Sequence, residues 1–382
     1  MSEPSRRDVL ASGALAAGGL LVGARAVSDT AHASQTPPAA EPGPPKADAL
    51  PAFRFPLEAQ PAKTGEGGTA REASARECPV STGIAGVSMR LAAGTLRELH
   101  WHANAAEWAY VISGNCRVTI YSPSGKAETL DFGPGDVWYF PRGHGHSIQG
   151  IGPGDCHFIL LFDNGYFSEF ATFSFSDWIG HTPHEVLTKN LKLPESTLAK
   201  LPTKEVYFAK GPVGPAPVRP RRGPPPVHKY RLGHQTPNRF NGGDLRLVSS
   251  REFPISKTIT GATMTLEPGA LREMHWHPNA DEWQYVLEGK MRMTVFASLG
   301  RASTVELGPG DIGYVPQGFG HYLENIGDTN CRLLLAFNNG TYQEIGISGW
   351  IASNPRQLVA TNLEVSEDLL KGLPERETFI DK

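Results

Sequence analysis

The chain has 382 residues and a formal net charge of −3, enough length for two domains of ordinary size. With charge near balance and no basic tract, there is no electrostatic case for nucleic acid or an anionic membrane as partner. Gly (42) and Pro (32) form almost a fifth of the residues, which favours short strands and turns over long helices.

At the N-terminus Arg6 and Arg7 precede the weakly apolar "DVLASGALAAGGLLVGARA", and small-x-small cleavage sites follow at Ala24–Ala26 and Ala31–Ala33. The order resembles a twin-arginine export signal, although Val9 sits where Phe is commoner. Residues 1–33 are therefore expected to be a cleaved leader and 34–50 a disordered linker, with the mature chain periplasmic or secreted from a bacterium. An exported chain can carry disulfides, yet Cys78, Cys116, Cys156 and Cys331 show no metal-finger spacing and lie mostly in apolar runs. Buried free thiols are expected.

Further along, "RELHWHANAAEWAYVISG" from Arg97 is answered by "REMHWHPNADEWQYVLEG" from Arg272. His275 and His100, Glu282 and Glu107, His321 and His146, and Gly310 and Gly135 all differ by 175, so the two copies should share one fold. Each copy reads as short strands. "CRVTIYSP" and "MRMTVFAS" mix β-branched and aromatic residues, "GPGD" supplies turns, and "HFILLF" and "RLLLAF" are buried runs. Helical texture appears only after each core, in "SDWIGHTPHEVLTKNL" and "SGWIASNPRQLVATNL". The fold class is all-β, two tandem jelly-roll barrels with short helices after each. The first barrel is expected over 51–210, a Pro-rich connector over 211–228 and the second barrel over 229–382.

Residues two apart in a strand share a face, so His100 and His102 project together, as do His275 and His277. If that face lines a barrel, Glu107 and His146 can join the first pair, and Glu282 and His321 the second. Three imidazoles and one carboxylate leave two positions of an octahedral ion open for substrate or dioxygen. A lone His-x-His is more often a satisfied pair of core histidines; duplication of all four ligand types argues for metal.

The spacing around these residues carries a family resemblance. Gly94, five residues, His100-x-His102, four residues, Glu107, six residues and Gly114 form one motif. Gly135, five residues, Pro141-x-Gly143, two residues and His146 form a second. Both recur from Gly269 to Gly289 and from Gly310 to His321, with Asn325 where the first copy has Gly150. These are the two cupin motifs, and the chain resembles the manganese-dependent bicupin oxalate decarboxylases. The resemblance implies two cupin domains, two Mn2+ per chain, dioxygen as catalytic co-substrate, oxalate as substrate and a homo-oligomer. Ligand type alone would favour copper, nickel or zinc over manganese.

In that family a glutamate on a mobile loop over the first site moves the proton, typically within Ser-Glu-Asn-Ser-Thr. Here the stretch is Ser168-Glu169-Phe170-Ala171-Thr172, which keeps the glutamate but replaces two polar residues with apolar ones. Arg97 and Arg272 are implied to bind the substrate carboxylate, although strict pleating would turn each to the face opposite its histidines. The 175 offset carries Glu169 onto Glu344, but Trp178 and Trp350 differ by only 172, so the second loop is three residues shorter. Site one is thus expected to do most of the chemistry. Trp101 and Trp276 should point away from the metals. The competing readings are a bicupin oxalate oxidase, releasing peroxide, and a non-catalytic storage bicupin.

Overall fold

The structure, a computed structural model, describes residues 50–167, 172–217 and 226–382. The expected leader (1–33), nearly all of the linker, Ser168 to Ala171 of the loop carrying Glu169, and part of the Pro-rich connector lie outside the described residues.

Two antiparallel barrels follow one another, each built from two facing sheets. In the first, one sheet runs Val137–Phe140, Glu107–Ser113, Cys156–Phe162, Ala85–Leu91, Gly68–Ala73, Lys63–Gly65. The other runs Thr172–Ser174, Thr95–His102, Gly145–Gly150, Cys116–Tyr121, Ala127–Phe132. The second barrel repeats this plan. Burial explains the two kinds of sequence texture. Cys116–Tyr121 alternates buried and partly exposed residues because one face meets solvent. Cys156–Phe162 is almost continuously buried because one face lines its barrel and the other packs on the second barrel.

That shared face is a core of its own, containing Trp108, Tyr110, Ile159 and Leu161 from the first half and Trp283, Tyr285, Leu334 and Ala336 from the second. Its two tryptophans exchange places. A Cβ on Gly261 would lie 2.2 Å from Trp108 Cζ2, and one on Gly86 would lie 2.4 Å from Trp283 Cζ2. Each glycine therefore makes room for the opposite indole, and both pairs obey the 175 offset.

The barrels also trade edge strands. Arg54 and Phe55, within the range expected to form the first barrel, pair with Gly313 and Ile312 of the second. Lys229 and Tyr230 pair with Trp138 and Val137 of the first. Arg54 meets Asp311 at 3.0 Å and Lys229 meets Asp136 at 2.7 Å, again one interaction repeated. Neither larger sheet is complete without residues from the other half, and the two barrels fall within one compact unit. All four cysteines are buried and free, as expected.

Candidate active site

In the first barrel His100 and His102 come from the strand Thr95–His102, Glu107 opens the next strand and His146 comes from Gly145–Gly150. All four are buried, with ligand atoms within 4.8 Å of one another. His275, His277, Glu282 and His321 form the matching cluster in the second barrel. The sequence-derived ligand sets are therefore brought together in full.

Hydrogen bonds on the far side of the rings fix their chemistry. Nδ1 of His100 lies 2.6 Å from the Glu98 carbonyl and that of His146 lies 2.9 Å from the His144 carbonyl. In the second cluster the Nδ1 atoms of His275, His277 and His321 face the carbonyls of Glu273, Gln343 and Phe319 at 2.7, 2.8 and 3.1 Å. A carbonyl only accepts, so these Nδ1 atoms carry the proton and each Nε2 keeps its lone pair for an ion. His102 Nδ1 meets the Thr172 hydroxyl at 3.0 Å instead.

The carboxylates are held equally firmly, by different means. Glu107 Oε2 lies 3.1 Å from His102 Nε2 and 3.2 Å from His146 Nε2, while its Oε1 accepts from Trp138 Nε1 at 2.8 Å. Glu282 Oε2 lies 2.7 Å from His277 Nε2 and 3.0 Å from His321 Nε2, while its Oε1 accepts from Gln284 Nε2 at 2.8 Å. Trp138 faces Ala109 across its strand pair and Gln284 faces Gly313 across the equivalent pair. One half thus puts a large donor on one strand and a small residue opposite. The other half reverses them.

Ionisation suits a cation. Burial pushes His100 well below the ordinary imidazole value and His102 down to about 4, leaving both neutral. Burial alone would raise Glu107 and Glu282. The adjoining imidazoles, His146 and His102 at Glu107 and His321 and His277 at Glu282, outweigh it and hold both carboxyls below the usual range. His146 Nε2 is buried without a hydrogen-bond partner, an orphan that a metal ion would satisfy. Neutral nitrogens, one ionised carboxylate and an orphaned lone pair fit a divalent ion.

The arginines correct the expectation from strict pleating. His146 faces His100 and Ile148 faces Arg97, so three steps along one strand match two along its neighbour. The extra residue is a β-bulge at Glu98–Leu99, which flips the alternation and turns Arg97 to the same side as His100. Arg272 opposite Leu323 and His275 opposite His321 show the same bulge. Arg97 is 3 % exposed and lines, with His100 and His102, a cavity of about 210 Å³. Its guanidinium stacks 3.8 Å above the Tyr207 ring. Among the described residues no carboxylate pairs with it. Arg272 stacks on Phe379 but is ion-paired to Glu344, which also accepts from the Tyr342 hydroxyl. Glu344 therefore occupies the anion partner position of the second arginine.

Glu169 lies outside the described residues, but both flanks reach one metal ligand. Phe167 stacks on Phe162 at 3.7 Å and lies 5.9 Å from the His102 ring, and Thr172 meets His102 Nδ1. Trp101 and Trp276 turn outward, against Phe173 and Trp178 in one half and Trp350 in the other.

Other residues at the site escaped the sequence reading. Buried Glu98 binds the backbone N–H groups of Ser176 and Tyr207 at 3.1 and 2.6 Å, tying the bulge to the helix Phe175–Gly180 and to the segment carrying Tyr207. Glu273 repeats this with Ser348 and Phe379. The signal was there, since a glutamate follows the arginine in both copies. Lys63, Glu72, Glu205 and Tyr207 also line the first cavity, and the sequence reading singled out none of them.

The Cupin family profile matches residues 56–198 and 230–370. The chain is 45% identical over 309 residues to the oxalate decarboxylase OxdC of Bacillus subtilis, covering 79% of this chain and 80% of the relative. It is 33% identical over 323 residues to a probable oxalate decarboxylase of Arthroderma benhamiae, covering 82% and 79%. A solved structure of the Bacillus subtilis oxalate decarboxylase at pH 4.6 superposes with a TM-score of 0.81 at 41% identity, covering 88% of each chain. Another solved structure of that enzyme comes from work on its Mn(II) centres.

Proposed function

The chain belongs to the bicupin oxalate decarboxylases of the cupin family, and we propose that it converts oxalate to formate and carbon dioxide in the cavity of its first barrel. His100, His102, Glu107 and His146 would hold Mn2+ there, and the second set a second Mn2+. Bound manganese, with dioxygen as co-substrate, would supply the one-electron oxidation that makes the C–C bond of oxalate easy to break, and the electron's return.

The observation that carries the reading is the charge of the first cavity. A divalent ion less one carboxylate leaves one positive charge, and Arg97, which no described carboxylate pairs, adds another, while Lys63 and Arg76 balance Glu72 and Glu205 in the same lining. The sum matches an oxalate dianion. In the second barrel Glu344 already cancels Arg272, so only one positive charge remains. Substrate therefore favours site one. The Arg97 fork, steadied by the Tyr207 ring, would grip one carboxylate and hold the anion against the ligand cluster.

Oxalate dianion plus one proton gives formate and carbon dioxide, so the protein must deliver a proton to carbon. We assign this to Glu169 from its place in the sequence, between anchors that both touch His102. Arg6 and Arg7 support export through a route for folded chains, with manganese loaded beforehand, into the periplasm or medium. Exposed Trp178, Phe173 and Trp350 offer apolar surface for the homo-oligomer.

The test is a stoichiometry. Purified, metal-counted protein is given oxalate, and formate and peroxide are both measured. One formate per oxalate with trace peroxide is expected. One peroxide per oxalate would establish the oxidase instead, and no turnover at full manganese loading would leave a binding protein.

A further inference from the structure

We propose that His144 and His228 form a third metal site, separate from the two cupin clusters, for a late first-row divalent ion such as zinc. His228 stands just before the exchanged strand Lys229–Tyr230 and is 6 % exposed. Its Nδ1–H donates to Glu128 Oε2 at 2.6 Å, and the same carboxylate accepts the backbone N–H groups of Val227 and His228, each at 3.1 Å. Its Nε2 is buried and has no hydrogen-bond partner. The His144 ring lies 6.3 Å away, with Nδ1 3.3 Å from the Arg142 carbonyl, which leaves its Nε2 lone pair free as well.

The second half of the chain shows this corner when only packing is at stake. The 175 offset carries His144 onto Phe319 and His228 back onto Phe53, the second in the second barrel's core and the first packed against it. Glu128 corresponds to Ser303. The first half thus replaces two phenyl rings with two imidazoles and gives one of them a carboxylate. A carboxylate on the far nitrogen is the arrangement that orients a metal-binding histidine and raises its basicity. Packing needs none of this, and a buried lone pair without a partner costs stability.

Ring centroids within the two cupin clusters lie between 4.1 and 5.5 Å apart. The new pair is 0.8 Å wider than the widest of these (6.3 − 5.5), which a turn of the partly exposed His144 ring closes. Two imidazoles without a carboxylate ligand suit zinc, copper or nickel far better than manganese, with water completing the shell. Because the His144 carbonyl accepts from His146 Nδ1, an ion here would also steady a ligand of the first cupin cluster.

The experiment titrates manganese-loaded protein with up to one equivalent of zinc in the presence of excess manganese and counts both bound metals by mass spectrometry. The native chain should gain one zinc while keeping its manganese. His144→Phe and His228→Phe, which install the rings found at 319 and 53, should lose that zinc and keep the manganese. Glu128→Gln should weaken zinc binding about 10–100-fold. The proposal fails if the native chain gains no extra zinc, if zinc only replaces manganese, or if the Phe variants retain it. Should a Phe variant not fold, an unchanged zinc affinity in Glu128→Gln is equally fatal.

Discussion

Glu344→Gln separates structure from turnover in the second barrel. Arg272 is 1 % and Glu344 11 % exposed at the side chain, so their ion pair is essentially buried. Removing one member of such a pair leaves an unpaired buried charge and costs about 3–5 kcal/mol. The Tyr342 hydroxyl and the Phe379 carbonyl and ring still contact the two positions, which favours the lower end. The same energy measures how hard it is for oxalate to take Glu344's place on Arg272. About 3 kcal/mol is roughly a hundredfold in affinity. Glu344→Gln should therefore lower the thermal midpoint by several degrees while kcat/KM stays within about threefold. Glu169→Gln should leave the midpoint unchanged and lose about 10²–10⁴-fold in kcat, the usual contribution of a positioned acid or base. The assay pairs thermal unfolding with formate production per manganese. If Glu344→Gln abolishes turnover in folded, manganese-loaded protein, site two is catalytic and the charge argument is wrong.

Arg97→Lys keeps the charge but loses the planar fork and its stacking on Tyr207, so kcat/KM should drop by about 1.5–3 kcal/mol, tenfold to hundredfold, at unchanged manganese content. A loss below threefold in steady-state kinetics would remove Arg97 from the substrate. Gly86→Ala drives a methyl to 2.4 Å from Trp283 and should cost about 1–3 kcal/mol in denaturant unfolding, partly relieved by Trp283→Phe. Equal stability with and without the methyl would mean the inter-barrel face is loosely packed. Glu58 is held below its ordinary 4.5; burial opposes this, and His157 at 3.7 Å together with hydrogen bonds from Ser88 and Arg90 overcomes it. A depressed carboxyl stabilises above its unfolded value and loses that contribution as pH falls through the folded one. Native protein should thus lose stability below about pH 4.5 more steeply than Glu58→Gln; parallel acid limbs in pH-resolved melts would contradict this.

The metal ligands were legible because period-two spacing and a repeated Glu and His are local signals, and both survive into the fold. The arginines were not. A single bulge residue inverts a strand's facing, and nothing in "REL" or "REM" announces it. The edge-strand exchange was hidden for another reason. Arg54–Phe55 and Lys229–Tyr230 are two residues each, too short for any periodicity. The donors to Glu107 and Glu282 were invisible because Trp138 and Gln284 do the same task from different strands, a compensation that only spatial neighbours reveal.

Those compensations show which constraints the two halves share. Trp108 fits against Gly261 and Trp283 against Gly86, so neither half can alter this face without the other. The ligand shells are likewise fixed, since every ring but His102, which meets Thr172, is oriented by a backbone carbonyl. The cavity walls carry no such tie. Lys63, Glu72 and Tyr207 of the first barrel correspond to Asn238, Leu247 and Phe379 of the second, and its arginine is open where the other is closed by Glu344. Matching is thus strict on the inter-barrel face and in the ligand clusters, and the cavity walls diverge. The polar wall around an arginine that no described carboxylate pairs is what an entering dianion needs.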